Sequence, residues 1–228
     1  MKNKYLQHSH IEERTFTQIL RLFCLDIEAK KVAEMTRVSR PSINRLYGLF
    51  RERIMEICAS EKAFSEGEYE LDESYFGARR VRGIRGRGAK GKTIVFGILK
   101  RGGNVYASVV KDCKRETLFP IIKDVIAPNS TIYTDGFSVY EGLKAEGYAA
   151  HFSVCHSDNE FSKNGRIHTN GIENFWGLCK GRLAKFRGLN KNNFLTHIKE
   201  CEFRFNHRHE NIFNILIKSF RVNPLKLS

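Results

Sequence analysis

Apolar residues recur every three or four positions between residues 15 and 60, with a single proline, Pro41. That period belongs to amphipathic helices. Residues 1–10 (MKNKYLQHSH) are polar and read as a loose leader, and EKAFSEG at 61–67 reads as a connector. From Glu68 the pattern shortens. YELDESYFG, TIVFGILK, NVYASVV and STIYTD are brief, β-branched and aromatic, hence strands, and Arg101-Gly102-Gly103 between the second and third suits a hairpin turn. Lys114–Ala127 predicts a helix, Phe137–Glu146 another ending near Gly147, and Tyr148–Val154 a fifth strand. Residues 155–167 are polar and loop-like. Helices are expected over Thr169–Lys185, Asn192–His209 and Ile212–Phe220.

Three consecutive strands followed by helix, strand, helix, strand and terminal helices imply a mixed sheet with helices on its faces. This is the element order of the ribonuclease-H-like fold, shared in part by other α/β folds. The expected organisation is an α/β protein: an all-α helix-turn-helix region over residues 1–62, then a ribonuclease-H-like domain over 68–228.

Charge narrows the function. The 228 residues hold 39 Lys+Arg against 25 Asp+Glu, a net +14. Residues 1–70 contribute 12 basic and 11 acidic side chains, residues 71–228 contribute 27 and 14. A surplus of this size points to a polyanion, nucleic acid before an anionic membrane. The longest apolar run, Ile94–Leu99, is far short of the ~20 residues a membrane span needs. The six cysteines lie at least 22 residues apart, so there is no C-x-x-C metal spacing. Free thiols and a polar N-terminus suit a reducing cytoplasm.

Within Glu28–Arg53, the small face of Ala29, Val32 and Ala33 precedes a turn at Thr36–Ser39. Ser39 is a good N-cap, and Pro41 falls in the first turn, where proline is tolerated. Ile43, Leu46, Phe50 and Ile54 make an inward stripe, which turns Arg40, Ser42, Asn44 and Arg45 towards solvent. This pattern fits a helix-turn-helix whose second helix enters the major groove, where Arg and Asn read base edges. A helical hairpin used only for packing has the same pattern.

Three acids stand out. Asp72 sits in the first strand, Asp135 closes the fourth, and Glu173 begins the helix after His168-Thr169-Asn170. Singly, each reads as a turn residue or ion-pair partner. In a ribonuclease-H-like sheet the first and fourth strands are neighbours, so Asp72, Asp135 and Glu173 would converge. Converging carboxylates repel unless a cation joins them, and oxygen-only ligands suit Mg²⁺ or Mn²⁺ rather than zinc. Two such ions can activate one oxygen and stabilise another in phosphodiester cleavage.

L-D-E-S-Y-F-G with a Gly/Arg/Lys segment behind it, then I-Y-T-D-G-F-S-V-Y, then H-T-N-G-I-E-N-F-W-G-x-x-K-G resembles bacterial insertion-sequence transposases of the IS1595 group, close to its IS1016 branch. The resemblance covers nearly the whole chain. It implies a DDE transposase that cleaves transposon ends with divalent metal and joins the 3′-hydroxyl to target DNA, with Asp72, Asp135 and Glu173 as the acidic triad. It also implies that Lys180, two turns beyond Glu173 and on the same face, helps hold terminal DNA. Many members of the wider group carry a cysteine-paired zinc ribbon, for which this sequence has no motif. A homodimer or higher oligomer follows from the need to pair two ends, and a bacterial, nucleoid-associated location from the DNA substrate. A binding protein that does not cut, or a structure-specific nuclease of the same fold, would share most of these features.

Arg79, Arg80, Arg82, Arg85, Arg87, Lys90 and Lys92 crowd one glycine-rich, acid-free segment, a natural phosphate clamp beside the strand of Asp72. The segment also matches a Walker A pattern, Gly86-x-x-x-x-Gly91-Lys92-Thr93. A P-loop requires a helix after the lysine, whereas Thr93–Leu99 is strand-like, so no nucleotide cofactor is expected. His168 would touch a phosphate, tune the metal site or simply cap the helix. Trp176 reads as core or as a stacking partner for a splayed base.

Overall fold

A computed structural model describes residues 3–62, 65–77, 92–154, 168–186 and 189–227, with Val154 described by its backbone alone. The elements run in chain order β1 (Leu6–Gln7), α1 (Glu13–Cys24), α2 (Ala29–Thr36), α3 (Arg40–Ser60), β2 (Glu68–Phe76), β3 (Thr93–Lys100), β4 (Val105–Val110), α4 (Arg115–Val125), β5 (Thr131–Asp135), β6 (Ala150–Val154), α5 (Asn170–Leu183), α6 (Lys191–Asn206), α7 (Ile212–Val222) and β7 (Leu225–Lys226). They form two units, residues 1–58 with 207–228, and residues 59–206.

In the larger unit the sheet order is β4-β3-β2-β5-β6, with β2, β3 and β4 antiparallel and β2, β5 and β6 parallel. That order is the ribonuclease-H-like one. Alternation along β2 assigns its two faces. Tyr69 and Leu71 join Phe96, Ile98 and Ile132 under α4. Phe76 joins Val95, Leu99 and Val105 under α5 and α6, with Ile172, Phe175, Trp176 and Ile198. Glu70 and Asp72 belong to the second face by register, opposite Leu99 and Gly97. The outer edge of β4 is closed by α6. Asn206 accepts from the Val105 N–H at 2.8 Å and donates to its carbonyl at 3.0 Å, while Glu202 accepts from the Ala107 N–H at 2.8 Å. These side chains occupy edge groups that would otherwise invite a foreign strand.

The smaller unit is helical with one short exception. Phe16, Phe23, Phe50 and Phe220 are fully buried, and Phe50 packs its ring 5.2–5.6 Å from the other three. Buried Arg53 donates to the Ser219 carbonyl at 3.1 Å and hydroxyl at 3.0 Å. α2 ends at Arg37 in the left-handed region, and α3 starts one residue after Ser39, whose carbonyl accepts from the Ile43 N–H.

Three expectations are corrected. Residues 3–10 are not a loose leader: Asn3 and Leu6 are buried, and β1 pairs in parallel with β7. Two residues of strand have no visible period, and their partner lies at the other end of the chain. The helix expected over Phe137–Glu146 is two 3₁₀ turns, Ser138–Tyr140 and Leu143–Glu146, separated by Gly142 at φ +93°. A residue in that region cannot continue a right-handed helix. Finally, residues 207–228 pack with residues 1–58, whereas the sequence suggested one continuous domain from 68 to the end. Among the described residues, no helix is long and apolar enough to cross a membrane.

Candidate active site

β2 and β5 lie side by side in parallel, with Leu71 opposite Thr134. One residue further along each strand are Asp72 and Asp135, at the same level and on the same face of the sheet. α5 covers that face and carries Glu173 in its first turn. The strand order thus brings together two acids 63 positions apart in sequence, and the covering helix carries the third, 38 positions further on.

Each acid takes a donor from its own neighbourhood. Asp72 Oδ1 accepts from the Glu73 N–H at 2.8 Å, Asp135 Oδ1 from the Phe137 N–H at 3.2 Å, and Glu173 Oε1 from the Thr169 hydroxyl at 3.1 Å. Glu173 is exposed and Asp72 and Asp135 half-buried. Among the described residues, no three His, Cys, Asp or Glu side chains converge closely enough to hold a metal ion.

Their mutual influence persists nonetheless. The Asp72 carboxyl is raised to about 6, chiefly by burial, with the charges of Asp135 and Glu173 acting in the same direction. The Glu73 N–H and the Trp176 indole act against that rise. The donor chemistry fits a hard divalent cation: three carboxylates, two on adjacent strands and one on the covering helix, with the central one costly to ionise until positive charge arrives.

Glu73 points to the opposite face of β2, where Tyr140 donates a hydrogen bond to it. Burial raises its carboxyl to about 7, with Asp72 and Asp135 adding to the rise. Burial also raises the Tyr140 hydroxyl well above its ordinary value.

Trp176 is core. It is 3% exposed, and its ring lies 6.1 Å from Phe76 and 4.9 Å from Phe175. The indole lies on Gly97, where an added Cβ would stand 2.5 Å from Trp176 Cζ2. Gly97 is the residue opposite Asp72, so the absence of a side chain there lets α5 approach the strand next to the acids. Lys180 is exposed on α5, seven residues after Glu173. Arg182, further along the same helix, pairs with fully buried Glu200. His168 lies beside Glu70, its Nδ1 3.5 Å from Glu70 Oε1.

Sequence reasoning missed Glu70. It is 1% exposed and shares a face with Asp72. The signal was present as two acids two residues apart in one strand, which alternation must place on the same side.

Arg79, Arg80, Arg82, Arg85, Arg87 and Lys90 lie outside the described residues. Lys92 is half-buried just before β3, and Thr93 opens a strand rather than a helix. On α3, Arg40, Asn44 and Arg45 are exposed and Ser42 is half-buried, all near the helix start.

Comparison with known proteins bears on the same region. Residues 65–206 match the family described as the ISXO2-like transposase domain. An uncharacterized transposase-like protein of Haemophilus influenzae is 42% identical over 102 residues, 45% of this chain and 80% of that protein. An uncharacterized protein in transposable element ISH50 of Halobacterium salinarum is 28% identical over 168 residues, 67% of this chain and 57% of that one. Among solved structures, a simian T-cell lymphotropic virus intasome in complex with PP2A regulatory subunit B56 gamma aligns at TM-score 0.38 and 15% identity, covering 88% of this chain and 78% of its own. The Mos1 strand transfer complex aligns at TM-score 0.30 and 12% identity, covering 95% and 80%. Scores this low carry no weight for the fold, which rests on the strand order. The family match, by contrast, spans well over half of the chain, and the protein belongs to the ISXO2-like transposases, the IS1595 group of the DDE superfamily.

Proposed function

We propose that this transposase binds the terminal inverted repeats of an insertion sequence, cleaves the DNA there and joins the freed 3′ ends to target DNA. The observation that carries the reading is the placement of Asp72 and Asp135 at one level on adjacent parallel strands, under the helix that bears Glu173. In this reading Asp72, Asp135 and Glu173 would hold the divalent metal, Mg²⁺ or Mn²⁺. When bound, two such ions polarise the scissile phosphate and stabilise charge on the attacking and leaving oxygens.

The chain's own residues have the remaining tasks. Arg40, Ser42, Asn44 and Arg45 on α3 read base edges in the major groove. Lys180, on the exposed side of α5 with Glu173, contacts the terminal phosphates. The basic segment from Arg79 to Lys92 clamps the backbone near the cut. By unit the surplus divides evenly, +7 for residues 1–58 with 207–228 and +7 for residues 59–206, so both contribute salt-dependent affinity, and the helix-turn-helix adds selectivity. Pairing of two ends calls for a dimer or higher oligomer.

The test is incubation with DNA carrying the repeats that flank the gene, with and without Mg²⁺. Asp72→Asn, Asp135→Asn and Glu173→Gln are each expected to abolish cleavage and retain end binding. Mg²⁺-dependent cutting that survives all three substitutions overturns the assignment. Cutting without joining of paired ends would favour a structure-specific nuclease instead.

A further inference from the structure

Helix α5 begins without local help. Thr169 is its N-cap residue, yet its side chain makes no capping bond and turns to Glu173 instead. The N–H that a capping side chain would satisfy, that of the third helical residue, belongs here to Ile172. It donates to Glu70 Oε2 at 2.9 Å, from the buried face of β2. The other Glu70 oxygen accepts from Arg101 Nε at 3.0 Å. Arg101 in turn donates to the His168 carbonyl just before the helix, and its guanidinium lies 3.6 Å from the centre of the Tyr133 ring. Close approach is permitted by Gly171, where a Cβ would stand 2.5 Å from Leu99 Cδ2 and 2.9 Å from Glu70 Oε2.

One carboxylate thus ties together β2, the segment after β3 and the start of α5. It lies two residues before Asp72 on the same strand face, and it binds the residue immediately before Glu173. A negative group at a helix start is also favoured by the helix dipole. The three acids have different anchors, a strand for Asp72 and Asp135 and a helix for Glu173. The separation between them depends on how the first turn of α5 is held.

We propose that Glu70, with Arg101, is a positioning residue that latches the first turn of α5 to the strand of Asp72 and so sets the distance from Asp72 to Glu173. It takes no part as a metal ligand, since both of its oxygens are already engaged inside the protein. The proposal rests on the reading of Asp72 and Glu173 as the metal-holding pair, and two measurements on the full chain separate the two claims.

The first is hydrogen exchange at the Ile172 amide in protein free of metal and DNA. Glu70→Gln preserves shape but weakens the acceptor and removes the charge opposite Arg101. Exchange at Ile172 is expected to accelerate at least tenfold, while amides in α4 keep their rates. The second is the Mg²⁺ concentration for half-maximal end cleavage, expected to rise several-fold in Glu70→Gln and in Arg101→Gln, with end binding unchanged. The double variant should be no worse than the single ones, because both remove one interaction. Unchanged exchange at Ile172, or an unchanged Mg²⁺ requirement in a folded Glu70→Gln protein, overturns the latch. The exchange result does not depend on activity, so failure of the triad reading appears separately, as cleavage that survives Asp72→Asn.

Discussion

Gly97→Ala is a one-methyl change whose effect follows directly from the packing. The new Cβ would lie 2.5 Å from Trp176 Cζ2, 2.9 Å from Trp176 Cη2 and 2.9 Å from Ile172 Cδ1. Ordinary carbon contacts need about 3.5–4 Å, so α5 must retreat from β3 by roughly 1 Å. Overpacking of this kind costs ~1–3 kcal/mol. For a unit of about 150 residues each kcal/mol lowers Tm by roughly 2–4 °C, which puts the middle expectation near 4–8 °C. Trp176 is the sole tryptophan of the chain, so its fluorescence follows unfolding of the unit that contains the acids. Gly181→Ala is the control, on the same helix with nothing within 4 Å of its added Cβ. It should stabilise by about 0.5–1 kcal/mol through helix propensity. Because the retreat moves Glu173 away from Asp72, cleavage by Gly97→Ala well below its melting range should fall by about 10²-fold. A Gly97→Ala protein that melts at or above wild type would refute the packing argument.

Other outcomes follow from the same site. Asp72 and Glu73 have carboxyls raised to about 6 and about 7 from 3.8 and 4.5, so the fold binds more protons than the unfolded chain between about pH 4 and 7. Their contribution is fully present below the unfolded values and is lost as pH rises through the folded ones. The metal-free protein should lose a few kcal/mol over that window, since each tenfold difference in proton affinity between the folded and unfolded chain is worth ~1.4 kcal/mol. Urea midpoints measure this, and Asp72→Asn or Glu73→Gln that left the slope intact would contradict it. Separately, Glu200 is fully buried between Arg182 and Arg204. Glu200→Ala removes the fully buried carboxylate that both arginines bind and should cost ~3–5 kcal/mol. A loss under about 1 kcal/mol in denaturant titration would show that the pair is solvated.

Much of this architecture was legible beforehand, for a physical reason. Strands β2 to β6 are short, regular and bounded by turn chemistry, and strand-helix alternation restricts how they can be ordered. Asp72 and Asp135 could be brought together because β2 and β5 had to be neighbours. What escaped were features set by partners distant in sequence. Leu6 and Gln7 acquire strand geometry from Leu225 and Lys226. Glu70 acquires its role from Ile172, 102 residues later. In 137–146 the apolar Tyr140 and Leu143 are buried, but Gly142 breaks the backbone between them. Each miss is a case where tertiary contact or one special dihedral overrode local pattern.

The pairing of β1 with β7 also bears on the order of events during synthesis. Residues 59–206 are contiguous and can fold as soon as they leave the ribosome. The helical unit cannot. Phe50 and Phe16 wait for Phe220, and Leu6 waits for Leu225, near the far end of the chain. The helical unit is begun before the larger one and completed after it. A chain that stops before residue 207 would therefore keep Asp72, Asp135 and Glu173 but have an unfinished helical unit. Loss of the C-terminal segment would then spare the unit that holds the acids and leave the helical one incomplete.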